Sequence, residues 1–318
     1  MKYISGDDIA SVFDYTGFLP VLQEAFCADY EVPQRHHYEY QNGVGENTST
    51  LLLMPAWSQG EYVGIKTVTV SPYNGQFDLP SIQGIYTLIN AKNGLVETQM
   101  DAKALTTRRT AATSALASSF LSRKDSKVLL MVGTGALAPE LIKAHCSVRN
   151  IEKVLIWGRN PEKAEQLKVA LQGINAEVST VSSLEEGVKQ ANIISVATLS
   201  LVPLVLGDWL QPGQHLDLVG AYRPDMRETD DAALLKSSLF IDHEGALKES
   251  GDLAIPLKDA VIKADDVKAD LKALCAGAQP GRINEEEITL FKSVGHALED
   301  LSGALYILKG LRQQWDKG

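Results

Sequence analysis

The rhythm of apolar and polar residues changes partway along this chain. Up to about residue 123 the signals are mixed. Asp7 and Asp8 stand just before residues 9–13 as a helix N-cap would, and residues 19–30 place Leu22, Ala25 and Phe26 at helical spacing. Residues 50–54, 62–70 and 84–89 read as strands, and the alternation within 63–70 predicts a sheet with one covered face. Asn90-Ala91-Lys92-Asn93-Gly94 has the turn residues of a hairpin. Residues 105–121 predict a long alanine-rich helix, and the polar stretch 122–126 is the best place for a domain boundary.

From Lys127 the pattern becomes a regular alternation of strand and helix. Strands are expected at 128–132, 154–157, 177–181, 193–197, 215–219 and 239–241. Helices are expected at 138–148 and 161–171, the second with Pro161 in its first turn. Short apolar strands alternating with helices predict an α/β fold with a doubly wound parallel sheet. The tail, 285–317, is rich in apolar positions and is expected to be helical.

Composition narrows the function classes. The 318 residues carry a net charge of −10, with acidic residues scattered rather than gathered in a tail, which argues against nucleic-acid or anionic-membrane partners. Cys27, Cys146 and Cys275 are far apart and odd in number, so no disulfide framework or zinc site is indicated. The six histidines show no ligand spacing, and no metal is expected. The first residues carry acids where a signal peptide would be apolar, and no apolar run is long enough for a membrane span; a cytoplasmic location is expected.

The first chemistry appears at Gly133-Thr134-Gly135-Ala136-Leu137-Ala138, a GxGxxA turn between a strand and a helix. The first glycine permits the tight turn and the second lets the backbone approach a pyrophosphate. The small third residue lets helix and strand pack closely, and the helix N-terminus faces the phosphates. At the end of the next strand, where NAD enzymes usually place an acid for the ribose 2′-hydroxyl, stands Gly158-Arg159-Asn160-Pro161-Glu162-Lys163. An arginine there suits a 2′-phosphate, so NADPH is expected in preference to NADH. The alternative is that Arg159 is a solvated loop residue.

These residues and their neighbours resemble the ornithine cyclodeaminase/mu-crystallin family. Four blocks carry the likeness: Thr106-Thr107-Arg108-Arg109-Thr110-Ala111-Ala112-Thr113-Ser114-Ala115; Gly220-Ala221-Tyr222-Arg223-Pro224-Asp225-Met226-Arg227-Glu228; Ala246-Leu247-Lys248-Glu249-Ser250-Gly251-Asp252; and Phe291-Lys292-Ser293-Val294-Gly295, continued by Ala297, Glu299 and Asp300. The resemblance implies a Rossmann dinucleotide-binding domain, 124–295, inserted into an α+β substrate and dimerisation domain made of 1–123 with 296–318. It implies a homodimer acting on a small imino or amino acid. It also implies that Arg35, Lys66 and Arg109 hold a substrate carboxylate, that Asp225 acts at the substrate nitrogen with Lys66 as its catalytic companion, and that Arg109, Thr198, Val219 and Ser293 join residues 133–137 and Arg159, Asn160 and Lys163 around the cofactor.

Physical chemistry supports part of this independently. Guanidinium forks match a carboxylate, and a lysine in an apolar strand is costly to bury without an anionic partner. An imine accepts hydride well only when protonated, so an acid at nitrogen can supply that proton and then steady the charge. From the residues alone, Lys66 reads better as snorkelling from an edge strand and Arg109 as an exposed helix charge, and Asp225 could be a turn or N-cap residue.

Within the family this sequence departs from the cyclodeaminases. They carry a glutamate just before a Met-Pro dipeptide, where this chain has Leu51-Leu52-Leu53-Met54-Pro55, and they favour an acid where Arg159 stands. Leu137 also replaces the family's usual glutamine. The resemblance therefore points to reductases of Δ1-pyrroline-2-carboxylate or Δ1-piperideine-2-carboxylate. Ornithine cyclodeamination, an alanine or opine-type dehydrogenase, and a dinucleotide-dependent small-ligand binding protein are the alternatives.

Overall fold

The structure is a computed structural model that describes residues 2–44 and 47–316. The chain divides into two compact units, Met1–Arg109 with His296–Gly318, and Thr110–Gly295. The first division falls inside a helix, upstream of the boundary expected at 123/124. The polar stretch after that helix is not a free linker: Ser122 and Ser126 are buried. The Arg149 guanidinium donates to the carbonyls of Ser118, Ser119, Ser122 and Arg123, satisfying acceptors that the helix end leaves open.

In the first unit the N-terminal elements are β1 (Lys2–Ile4), α1 (Gly6–Val12) and α2 (Tyr15–Cys27). Helix α1 starts earlier than expected, because Ser5 rather than Asp7 or Asp8 is its N-cap; Ser5 and Asp8 form a reciprocal capping box. Helix α2 likewise starts and ends earlier than residues 19–30, its first turn fixed by the Asp14 side chain accepting from Gly17 N–H. Strands β2 (His36–Gln41), β3 (Thr48–Trp57), β4 (Tyr62–Val70), β5 (Ile82–Asn90) and β6 (Val96–Asp101) complete a six-stranded sheet in the order β1-β6-β5-β4-β3-β2. The β1–β6 pair is parallel and the others antiparallel, with the expected hairpin between β5 and β6.

Period-2 alternation gives this sheet its covered face. Met54, Lys66, Tyr86 and Met100 stand opposite one another across β3 to β6, and Ile4 of β1 extends the row. All five are buried, packed with Leu301, Ala304, Ile307 and Leu308 of the C-terminal helix, Ala297–Trp315, or beside them. Lys66 is thus the one charged member of an otherwise largely apolar row.

Helix α3 (Ala102–Leu121) begins where the Asp101 carboxylate accepts from Ala104 N–H at 2.8 Å. Beyond it the second unit alternates β7 (Val128–Val132), α4 (Ala138–Val148), β8 (Lys153–Trp157), α5 (Pro161–Ala170), β9 (Glu177–Thr180), α6 (Leu184–Gln190), β10 (Ile193–Val196) and β11 (His215–Leu218). Then follow α7 (Asp231–Leu235), β12 (Ser238–Ile241), α8 (Ala246–Glu249), α9 (Gly251–Lys258), β13 (Val267–Asp270), α10 (Leu271–Cys275) and β14 (Thr289–Lys292). Every pair in its eight-stranded sheet is parallel, in the order β13-β12-β14-β11-β10-β7-β8-β9. The expected α/β class with a parallel, doubly wound sheet is borne out. The central strands are apolar throughout because both faces are covered. Asp217 of β11 is buried and accepts from Ser114 of α3 and Ser195 of β10, with His145 of α4 at 3.2 Å, tying those elements together.

The tail departs from expectation. Residues 285–317 are not one helical stretch: β14 occupies Thr289–Lys292, and the helix starts only at Ala297, while Lys317 lies outside the described residues. Thr289-Leu290-Phe291 is too short to show a period. The slot between β11 and β12, which it fills, is a long-range fact that local pattern does not carry. No described helix is long and apolar enough to cross a membrane.

Candidate active site

In the second unit, strand order reverses at β7, which pairs with β8 on one side and β10 on the other. Ligands of open α/β sheets bind outside the carboxyl ends of the strands at such a point. The expected cofactor residues of this unit all follow strand ends. Gly133, Thr134, Gly135, Ala136 and Leu137 lie between β7 and α4; Arg159, Asn160 and Lys163 follow β8; Thr198, Val219 and Ser293 follow β10, β11 and β14.

The turn has the form a pyrophosphate needs. Gly133 holds φ +116°, and a Cβ there would lie 2.4 Å from the Ala197 carbonyl oxygen. Gly135 is exposed, and a Cβ there would meet nothing within 4 Å: it leaves an open cradle beside the first amides of α4. Leu137 is the N-cap of α4 and makes no side-chain capping bond. After β8, Arg159 and Lys163 are exposed, and their side chains make no ion pair or hydrogen bond among the described residues. Asn160 has a second duty: its Oδ1 accepts from Glu162 and Lys163 N–H and caps α5. These residues fit a dinucleotide.

Asp225 lies in the loop after β11. It is exposed and paired with Arg223, whose Nε donates at 2.9 Å and whose Nη2 also bonds it. That hydrogen bond and the guanidinium charge hold the Asp225 carboxyl below the usual range. At neutral pH it is a carboxylate, suited to accepting from a protonated nitrogen and not to supplying the proton itself.

In the first unit, Lys66 and Arg109 converge on the start of the C-terminal helix. Lys66 Nζ lies 2.7 Å from Asp300 Oδ2; Arg109 Nε donates to Asp300 Oδ1 at 2.8 Å, and its Nη1 to Glu299 Oε2. All four are buried. Both acids sit in the helix's first turn, where its dipole favours negative charge. Burial, and then the Arg109 charge, hold Lys66 at about 8 against the pull of Asp300; Arg35 adds a smaller repulsion. An ammonium has three donors, and among the described residues Asp300 is its one partner. Arg35 is half-buried in the segment before β2 and near enough for its charge to reach Lys66. Tyr86, opposite Lys66 on β5, is buried, its hydroxyl has no partner among the described residues, and burial and Asp300 raise its pKa well above the usual value.

Sequence reasoning missed a second buried cluster. Glu228, Asp252 and Lys292 meet in the second unit, with Lys292 Nζ 3.1 Å from Asp252 and 3.8 Å from Glu228. Burial pushes Glu228 up to about 7 against the opposing pull of Lys292. Three of the four motif blocks therefore meet at one point. A readable signal was present: Lys292, like Lys66, stands in an apolar strand, and a buried cation demands carboxylates.

A glycine cradle at the switch point of a parallel sheet, with free cations at the end of the second strand, defines a Rossmann-type dinucleotide-binding protein. The chain belongs to the ornithine cyclodeaminase/mu-crystallin family, which it matches over residues 22–314. It is similar to a Δ1-pyrroline-2-carboxylate reductase of Paracoccus denitrificans, 40% identical over 84% of this chain and 85% of that one. The structure of Thermococcus litoralis Δ1-pyrroline-2-carboxylate reductase in complex with NADH and L-proline superposes with a TM-score of 0.92 at 34% identity, covering 99% of this chain and 98% of that one. An archaeal alanine dehydrogenase dimer with bound NAD superposes with a TM-score of 0.90 at 25% identity, covering 99% and 97%.

Proposed function

We propose that this protein is an oxidoreductase that reduces a small cyclic imino acid, Δ1-pyrroline-2-carboxylate or its six-membered homologue Δ1-piperideine-2-carboxylate, with NADPH preferred over NADH, as a cytoplasmic homodimer. The observation that carries the reading is Lys66, a buried ammonium beside Arg109 whose one partner among the described residues is Asp300. Such a pair of cations recognises a carboxylate. The relatives named as Δ1-pyrroline-2-carboxylate reductases, and the neighbour holding L-proline, support a cyclic imino acid as that carboxylate's bearer. The neighbouring dimer supports the assembly.

When bound, the dinucleotide supplies a hydride. The chain's own residues then have three tasks. Arg35, Lys66 and Arg109 hold the substrate carboxylate. The turn 133–138, with Thr198, Val219 and Ser293 at the neighbouring strand ends and Arg109, carries the cofactor. Asp225, kept anionic by Arg223, accepts the N–H of the protonated imine and steadies its charge. Leu52 favours an imine over ornithine: it shares the face of β3 with Met54 and Ala56, the face that Lys66 occupies on β4, and offers nothing to a distal amine.

Two variants test this reading. Asp225→Asn should lower imine turnover by about a hundredfold or more while NADPH still binds, followed by fluorescence titration; wild-type turnover would sink the role of Asp225. Arg159→Ala should weaken NADPH by about ten- to a hundredfold, as loss of a charged hydrogen bond does, and leave NADH nearly unchanged. Equal losses with both cofactors would refute the 2′-phosphate assignment.

A further inference from the structure

The loop carrying Asp225 leaves β11 and is closed by a side chain rather than by a strand. Glu228 Oε2 accepts from Gly220 N–H at 2.7 Å and Ala221 N–H at 3.1 Å. Its Oε1 accepts from Thr198 N–H at 2.7 Å and Thr198 Oγ1 at 2.9 Å. One fully buried carboxylate thus ties together the residues after β10, the residues after β11 and the far end of the Asp225 loop. The approach is close: a Cβ on Gly220 would lie 2.0 Å from the Thr198 carbonyl oxygen and 2.5 Å from Glu228 Oε1.

The remaining members anchor Glu228 itself. Asp252 Oδ1 accepts from the backbone N–H of Glu228 at 2.7 Å and of Thr229 at 3.2 Å, while its other oxygen takes Lys292. Gly251 N–H, next to Asp252, donates to the Arg223 carbonyl, so the middle of the loop is held from the same side. Two buried carboxylates against one ammonium is costly to desolvate, so the cluster is weak evidence for stability as such. What this arrangement provides is a carboxylate whose acceptor sites are taken: the two oxygens of Glu228 accept four bonds, and none is left for a ligand.

We propose that Glu228 is a positioning residue for the reduction: its carboxylate fixes the Thr198 end of β10 and the Gly220–Glu228 loop, and so orients Asp225 toward the substrate nitrogen. This rests on the role given to Asp225 above. Glu228 touches neither substrate nor cofactor in this scheme and acts through the main chain.

The test is Glu228→Gln, alone and combined with Asp225→Asn. The glutamine is nearly isosteric, but its amide group turns donors against donors, so one pair of bonds is lost. Hydrogen exchange should quicken in the folded protein at the amides that face the new amide group, either Thr198 or the pair Gly220 and Ala221. Turnover should fall at least about tenfold with the substrate KM within about twofold, a split that general destabilisation does not produce. In the Asp225→Asn background the same change should have almost no further effect, because residues acting through one another are not additive. If Glu228→Gln fails to fold, Glu228→Asp, which keeps the charge facing Lys292 but falls short of the amides, carries the same test. Unchanged turnover, or an equal loss in both backgrounds, overturns the proposal alone. Wild-type turnover by Asp225→Asn itself would remove the role of Asp225, and this proposal with it.

Discussion

The two units each bury a knot of charge, and the knots are built differently. In the first, side chains balance side chains: Lys66 and Arg109 against Asp300 and Glu299. In the second, Glu228 and Asp252 spend most of their bonds on backbone amides, and Lys292 is the lone cation. A carboxylate saturated by main-chain donors holds the chain in place. A cation with donors left over can take an incoming anion. The first knot therefore suits ligand recognition and the second suits positioning, although both are buried and both join residues far apart in sequence.

The largest effect should come from breaking the first knot at its centre. Asp300→Ala leaves Lys66 without its partner and Arg109 with only part of its set, and loss of one side of a buried pair costs about 3–5 kcal/mol. Urea denaturation followed in the first unit should show it. The loss should shrink at alkaline pH, because Lys66 without Asp300 can shed its proton and remove the uncompensated charge. A pH-independent loss below about 1 kcal/mol, the range of an exposed pair, would place the cluster in water and end the contrast between the knots.

How much of this was legible before the fold was known follows the same division. Strands β4 and β7 and helix α4 can be read to their ends, since β4 is a long β-branched run and the glycine turn separates the apolar run of β7 from α4. The turn at Gly133 and Gly135 was legible because its chemistry is local. Lys66 and Arg109 were legible only through resemblance, and their partners Asp300 and Glu299 were seen as motif letters without a role. The apolar pattern around β14 reads as helix, and nothing local groups Glu228 with Asp252 and Lys292. Each of those failures is a contact across the chain: a sheet slot filled from the far end, or a carboxylate whose partners are amides of other strands. Amide partners leave no trace in residue identity, so a residue such as Glu228 looks like any surface glutamate until the backbone is folded.

A smaller and sharper effect separates the knots by pH. Lys66 is held at about 8, below the usual lysine value of 10.5, chiefly by burial. Its positive charge, the form that attracts a substrate carboxylate, is therefore present below pH 8 and lost as pH rises through it. Free-enzyme ionisations appear in kcat/KM, so kcat/KM for the imine should fall by about tenfold per pH unit above about 8, equivalent to about 1.4 kcal/mol per unit. The linkage for stability has the opposite sign. Between about 8 and 10.5 the unfolded chain holds this proton and the folded chain does not, so the Lys66 contribution to stability rises with pH across that window. Activity falling while this contribution rises would mark Lys66 as the titrating group, distinct from general alkaline unfolding. Lys66→Arg, whose guanidinium keeps its charge, should remove both the fall in kcat/KM and the stability gain. A fall that persists unchanged in Lys66→Arg would assign it to another group and leave the first knot without its proposed role in holding the carboxylate.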